Sequence, residues 1–182
     1  MKENINEKIS FPEGFDFEIE NNSITVKKGN EHLTKKFNTK NIEVKKNGLD
    51  LVLESKKATK REKKMINTIK AHVTNMINGL REKFEYKLEV VYVHFPVTLE
   101  LNKDRNEITI KNFLGEKKPR KCKLLPGAEI EINKNTIIIK SSDKNIAGQN
   151  AANLETATKI RNRDRRKFQD GIFIVEKCGR PI

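Results

Sequence analysis

Ser23-Ile24-Thr25-Val26-Lys27 returns 84 residues later as Glu107-Ile108-Thr109-Ile110-Lys111, and each copy follows a polar turn, Asn21-Asn22 in one case and Lys103 to Asn106 in the other. Alternation with period two puts one face of a strand in a core and the other in water, so both stretches read as second strands of β-hairpins. The likeness spreads outward from there. Phe11-Pro12 recurs as Phe95-Pro96. Ile42-Glu43-Val44, Asn47-Gly48 and Leu49 to Leu53 recur, 87 or 88 positions on, as Ile130-Glu131-Ile132, Lys134-Asn135 and Ile137 to Ile139. Repetition at this period marks one supersecondary unit used twice. Asn-Gly supplies the positive φ of a tight hairpin, so the first copy carries the stronger turn signal.

A helix follows each hairpin. In the first copy Thr59 and Glu62 have capping-box spacing, and Ile66, Ile69, Val73, Met76 and Leu80 recur every three or four residues, with Gly79 expected to end the helix. In the second copy Ser142 or Asp143 is the expected cap. The stripe Ala147, Ala151, Leu154 and Ala157 consists mostly of small residues that let a helix lie close on a sheet. The expected fold class is α+β, two tandem copies of a small antiparallel-sheet-plus-one-helix domain, residues 1–80 and 81–182. Phe84, Tyr86, Leu88, Val90 and Tyr92 alternate as the first strand of the second copy. The boundary near Gly79 to Arg81 has no Gly/Ser-rich or Pro-rich linker, so a fixed angle between the copies is expected.

Apolar residues make up 35% of the 182, and charged residues another 35%, which disfavours one large core and suits small sheets each covered on one face. No run of residues is long and apolar enough for a membrane span, and Met1-Lys2-Glu3-Asn4 does not begin a secretory signal, so a cytosolic location without membrane contact is expected. Cys122 and Cys178 are far apart and fit a reducing compartment.

The formal charge of +13 points to a polyanionic partner. Residues beyond position 80 hold 22 cations against 14 acids and eight of the nine arginines, whose planar fork grips phosphate oxygens in pairs. Lys159, Arg161, Arg163, Arg165, Arg166 and Lys167 form the densest run, joined by Lys177 and Arg180. A helix end accounts for two or three cations, not six, so this run reads as nucleic-acid contact. Lys117, Lys118, Arg120, Lys121 and Lys123 bracket Pro119 and read as an extended basic loop along a backbone groove, or as an ordinary charged loop. Lys56, Lys57, Lys60, Arg61, Lys63 and Lys64 open the first helix, where cations oppose the helix dipole. A phosphate partner and plain solvation explain them equally well.

Catalytic chemistry finds little support. No phosphate-cradling glycine loop is present, and His32, His72 and His94 lack the spacing of metal pairs. His72 and His94 read as structural, and neither a metal nor a cofactor is expected. Aromatics amount to 6% with no Trp, too few for base-stacking platforms, so the expected target is folded, double-helical RNA recognised by shape and backbone; charge by itself leaves DNA open. A free-standing RNA- or DNA-binding architectural protein and an RNA-processing enzyme stay as alternatives.

Asn162-Arg163-Asp164-Arg165-Arg166-Lys167-Phe168-Gln169-Asp170-Gly171-Ile172-Phe173-Ile174-Val175 resembles the signature segment of the large-subunit ribosomal protein L6 family in its archaeal and eukaryotic form. Tyr86 to Leu101, YKLEVVYVHFPVTLEL, is similar to the start of that family's second domain. The resemblance covers essentially the whole chain, with departures at Thr156, where the family more often has Gln, and Phe173, where it more often has Tyr. It implies a structural constituent of the large subunit, without enzymatic activity. It also implies binding to large-subunit rRNA near the stalk base and the sarcin-ricin loop, with ribosomal proteins and translational GTPases as neighbours. The family's rRNA contacts map onto Lys159 to Lys167, Lys177 and Arg180. Within the motif, Phe168 and the strand Ile172 to Val175 are expected to anchor the basic turn, Asp170-Gly171 to turn the chain into that strand, and Asp164 to orient Arg163 or Arg166.

Overall fold

The computed structural model describes residues 3–182 apart from Asn21, Thr39 and Arg165. Met1, Lys2, the first residue of the Asn21-Asn22 turn and one of the motif arginines therefore lie outside the described residues. The chain divides into two compact units, Met1–Glu82 and Lys83–Ile182.

The first unit runs β1 (Glu3–Ser10), β2 (Asp16–Glu20), β3 (Ser23–Lys28), β4 (Glu31–Lys36), β5 (Glu43–Asn47), β6 (Asp50–Ala58) and α1 (Lys60–Arg81). The second runs β7 (Phe84–Val91), β8 (Thr98–Asn102), β9 (Glu107–Lys111), β10 (Arg120–Lys123), β11 (Glu129–Asn133), β12 (Thr136–Ser141), α2 (Lys144–Ala157), β13 (Gly171–Lys177) and β14 (Arg180–Pro181). In the first unit the sheets are ordered β1-β6-β5 and β2-β3-β4; in the second they are β11-β12-β7-β13-β14 and β10-β9-β8, every pairing antiparallel. The same two three-stranded orders occur twice, so the repeat is one of topology as well as of residues. The second unit adds β13 beside β7 and closes it with β14.

Ile24 and Val26 of β3, and Ile108 and Ile110 of β9, are the inward residues of the repeated pentapeptide, and all four are buried. Around the first pair close Phe17, Leu51, Leu53 and the α1 stripe Ile66, Ile69 and Val73; around the second, Leu88, Ile137, Ile139 and Leu154. Full burial of such a side chain contributes about 1.5–3 kcal/mol, which makes these two clusters the main support of each sheet–helix layer. The repeat is not complete at Phe11-Pro12. Phe11 is buried and stacks on Phe17 at 4.3 Å between centroids, whereas Phe95 is 46% exposed.

Thr59 and Glu62 form the capping box: the Thr59 hydroxyl accepts from the Arg61 amide, and the Glu62 carboxylate accepts from the Thr59 amide and hydroxyl. Those hydrogen bonds hold the Glu62 carboxyl down at about 2. Gly79 does not end α1. The apolar period continues to Leu80, Gly79 is itself a buried helical residue, and the helix stops only at Arg81 with Glu82 extended as its cap. Of the two candidates for the second cap, Asp143 serves, accepting from the Asn145 amide. On α2 a Cβ at Gly148 would meet the Tyr86 hydroxyl at 3.1 Å, the close approach expected from its small-residue stripe.

Gly48 and Leu49 are the central residues between Asn47 and Asp50, and Gly48 takes φ +62 at the first of them. Lys134 takes the same place between Asn133 and Thr136 with φ +50, a conformation that is strained for a residue with a Cβ. Lys134→Asn, which tolerates that region, should raise stability by about 0.5 kcal/mol in urea unfolding, and an unchanged midpoint would show the turn to be indifferent.

Candidate nucleic-acid interface

Lys117 to Lys123 is not one extended loop. Arg120–Lys123 is strand β10, paired with β9, and only Lys117, Lys118 and Pro119 lead into it. Alternation along β10 buries Cys122 and exposes Lys121 and Lys123, and burial pushes the Cys122 thiol up to about 11, so it stays protonated.

Across from β10, α2 ends at Ala157, and the described residues between Thr158 and Asp170 run irregularly before β13. Between the two lies an open groove of about 930 Å³. Its cationic lining comes from both sides: Arg120, Lys121 and Lys123 from β10, and Lys159, Arg161 and Arg163 from the segment after α2. The fold thus gathers two basic runs separated by roughly 40 residues of chain onto one concavity. Gln149, Asn153 and Thr156 of α2 form its polar floor, which is where the Thr156 departure falls.

The cations differ in what already holds them. Arg120 donates to both Glu116 carboxylate oxygens (2.8 and 2.6 Å) and to the Ala157 carbonyl (2.9 Å), and its guanidinium lies 4.3 Å from the Phe113 ring centroid. Every part of its fork has a partner within the chain, so it fastens the end of α2 to the turn ahead of β10. The Arg120 hydrogen bonds are the chief reason the Glu116 carboxyl sits below its usual range, with Arg163 adding to the effect. Arg120→Lys should therefore cost about 1–2 kcal/mol of stability in chemical unfolding while leaving the charge of the groove intact.

Lys121 pairs with Glu107 at 3.3 Å. Among the described residues no ion pair engages Lys117, Lys118, Lys123, Lys159, Arg161, Arg163 or Lys167. Arg166, its side chain 90% exposed, forms a two-pronged pair with Asp164, whose carboxyl that contact holds low. Asp164 thus orients Arg166, not Arg163.

Arg163 is held differently. Its guanidinium lies 4.9 Å from the Phe168 centroid, and the other stacking partner of Phe168 is His94, at 5.2 Å. Phe168 is half-buried between a cation and an imidazole, neither a core residue nor a free platform. His94 in turn donates from Nδ1 to Asp170 (2.8 Å), whose carboxylate also accepts the Val93 and His94 amides (3.2 and 3.3 Å). Asp170 is 1% exposed and does not make a tight turn into β13. It is a clamp. Burial pushes its carboxyl up, but the bond from His94 and the two amides outweigh that and leave it below the ordinary value. The Phe173 ring lies over Gly171, 2.8 Å from where a Cβ on that glycine would stand.

Lys177 and Arg180 face each other across the β13–β14 hairpin, at the far end of β13 from Gly171, so a strand of seven residues sets them roughly 20 Å from the point where the segment after α2 joins it. The structure does not bring them to the groove. Sequence reading also missed Asn150, wholly buried in α2, which donates to the Leu125 carbonyl (3.1 Å) and accepts its amide (2.7 Å). A polar residue in an otherwise small-residue stripe is the signal that marks it. Among the described residues no cluster of His, Cys, Asp or Glu is suited to a metal, and no helix is long and apolar enough to cross a membrane.

The segment containing the whole groove, residues 95–171, matches the family model described as Ribosomal protein L6. Over nearly its whole length the chain is also similar to proteins named large ribosomal subunit protein uL6: 42% identical to that of Methanobrevibacter smithii, over 95% of this chain and 96% of the relative. The chain belongs to the ribosomal protein L6 family. Against the protein of the same name from Methanococcus vannielii identity is 40%, over 98% and 97% of the two chains, and against that of Methanothrix thermoacetophila 37%, over 97% and 99%. Membership fits the duplicated α+β fold, and the L6 family is one of structural proteins rather than enzymes.

Proposed function

We propose that this chain is a structural constituent of the large ribosomal subunit, located on the ribosome in the cytoplasm, and that its second unit grips large-subunit rRNA near the stalk base and the sarcin-ricin loop. Ribosomal proteins of the stalk base are its neighbours there, close to where translational GTPases dock. One observation carries the reading: cations from β10 and from the segment after α2 line a single groove, and most of them have no internal acid.

Each cation has a distinct part. Lys121, Lys123, Lys159 and Arg161 neutralise phosphates along the groove, with Lys117 and Lys118 at its approach. Arg163, fixed on the Phe168 ring, presents a pre-ordered fork, and Arg166, whose Nε and Nη2 are taken by Asp164, is held with its other terminal nitrogen uncommitted; both lose less side-chain entropy on binding. Arg165 and Lys167 extend the same run. Arg120 acts through the scaffold, and Lys177 with Arg180 meets a separate stretch of backbone. Phosphates carry no sequence, so specificity comes from the folded shape of the RNA.

The test is binding of the whole chain to an rRNA fragment spanning the stalk base and sarcin-ricin loop, across a salt series. About six phosphate contacts give a log-log slope on the order of −4 to −5. A slope near zero, or equal affinity for an unrelated DNA duplex, would remove the reading.

A further inference from the structure

The lysine-rich start of α1 has no part in the groove. Four of the first five helical residues, Lys60, Arg61, Lys63 and Lys64, are cations, and Glu62 is the one carboxylate on the 22-residue helix, its oxygens turned back onto Thr59. Among the described residues none of those four cations takes part in an ion pair, whereas Lys70, further along α1, pairs with Glu7 at 2.8 Å. Lys60, Lys63 and Lys64 share one face with Asn67, Thr68 and Asn75, forming a shallow open trough. At its far part lies His72, with the Lys35 ammonium of β4 3.0 Å from its Nδ1. Cations at this helix end oppose the dipole, so the fold itself gives no reason for them.

A second feature points the same way. Glu3 faces Ala58 and Ile5 faces Ser55, so the single residue Asn4 opposes both Lys56 and Lys57 in a β-bulge just ahead of α1. Lys57 takes φ +58, the left-handed region, at a place that glycine fills without strain. Its amide donates to the Asn4 side chain (3.1 Å) and its own side chain is exposed. Strain retained at an exposed lysine beside a cationic face suggests that the charge is wanted there.

We propose that this α1 face, with Lys57, Lys60, Lys63 and Lys64, is a second binding surface for the phosphate backbone of structured RNA, borne by the first unit and separate from the groove of the second. The face carries no large apolar side chain to enter a lipid headgroup layer, which disfavours a membrane. Its side-chain amides, Asn67 and Asn75, supply hydrogen bonds of the kind that phosphate and 2′-hydroxyl groups take, while Thr68, whose hydroxyl already donates to the Lys64 carbonyl (2.8 Å), is left as an acceptor for a 2′-hydroxyl. The proposal rests on the RNA-binding reading above for the class of partner.

The test uses the full chain in two variants, Lys60→Gln/Lys63→Gln/Lys64→Gln and Arg161→Ala/Arg163→Ala, each checked for wild-type circular dichroism. The readouts are the salt slope on large-subunit rRNA and the hydroxyl-radical footprint. The lysine variant is expected to weaken binding about tenfold near 0.1 M salt, to reduce the slope by about two to three, and to expose an RNA patch different from the one exposed by the arginine variant. An unchanged slope and footprint for the lysine variant, with losses for the arginine variant, overturns this proposal and leaves the groove reading standing. No change in either variant overturns both. A lysine-variant defect seen only on vesicles of phosphatidylglycerol and phosphatidylcholine, with RNA binding intact, overturns the proposal in favour of a lipid surface. Lys57→Gly separates charge from fold: higher thermal stability with weaker RNA binding is expected, and undiminished binding removes Lys57 from the surface.

Discussion

Alanine at Arg161, Arg163 and Arg166 together is expected to weaken binding to the stalk-base rRNA fragment roughly 50-fold near 0.1 M salt and to reduce the salt slope by about three. All three side chains lie on the exposed segment after α2, and two of them are pre-ordered, Arg163 by Phe168 and Arg166 by Asp164. Their loss removes counterion release and pre-ordered side chains together. Because they contribute nothing to either buried cluster, the thermal midpoint should stay near that of the unaltered chain. Filter binding between 50 and 300 mM salt measures the effect. Lys177→Ala/Arg180→Ala, at the other end of β13, should give a smaller loss that adds independently, since sites about 20 Å apart do not share a partner. Unchanged binding by the triple variant would refute the groove as the rRNA contact.

Asp170→Ala is expected to destabilise the chain by about 3 kcal/mol, because it removes a buried acceptor and leaves the Val93 and His94 amides and the His94 ring without it. The effect passes to binding as well. His94 would lose its tether, Phe168 its stacking partner and Arg163 its ordered position, so weaker rRNA binding should accompany the lower urea midpoint. The carboxyl is held below its ordinary value in the folded chain, so its contribution is present above the unfolded carboxylate pKa and is lost as pH falls through the folded value. The stability difference between the parent chain and Asp170→Asn should therefore narrow as pH falls from about 5 through the ordinary carboxylate range. A difference that stays constant across that range would show that the charge on Asp170 is not what holds the Val93–His94 loop.

The repeat was legible because it rests on local patterns. Ile24 with Val26, and Ile108 with Ile110, announce their strands by period two, and the Thr59–Glu62 box announces α1. Strands β1, β4 and β14 were less visible because they carry few inward apolar residues. Strand β10 was obscured because Arg120-Lys121-Cys122-Lys123 shows one buried apolar position among charges, and its partner β9 supplies the rest of the pattern. Gly79 misled because a glycine near a helix end signals termination only when it is free to take a left-handed conformation, and burial keeps this one helical.

Composition and periodicity by themselves determined that the chain is a duplicated α+β protein with a surplus of cations concentrated in its second half, since those properties belong to neighbours in sequence. Only the tertiary structure decided which cations remain available. It drew Arg120 into Glu116, Phe113 and the end of α2, set Arg163 on Phe168, joined Lys121 and Lys123 to Lys159 and Arg161 across one groove, and left Lys177 and Arg180 at the opposite end of a strand. The physical reason is that charge neutralisation is a short-range contact between groups brought together through space, and the partners involved lie up to about 40 residues apart along the chain.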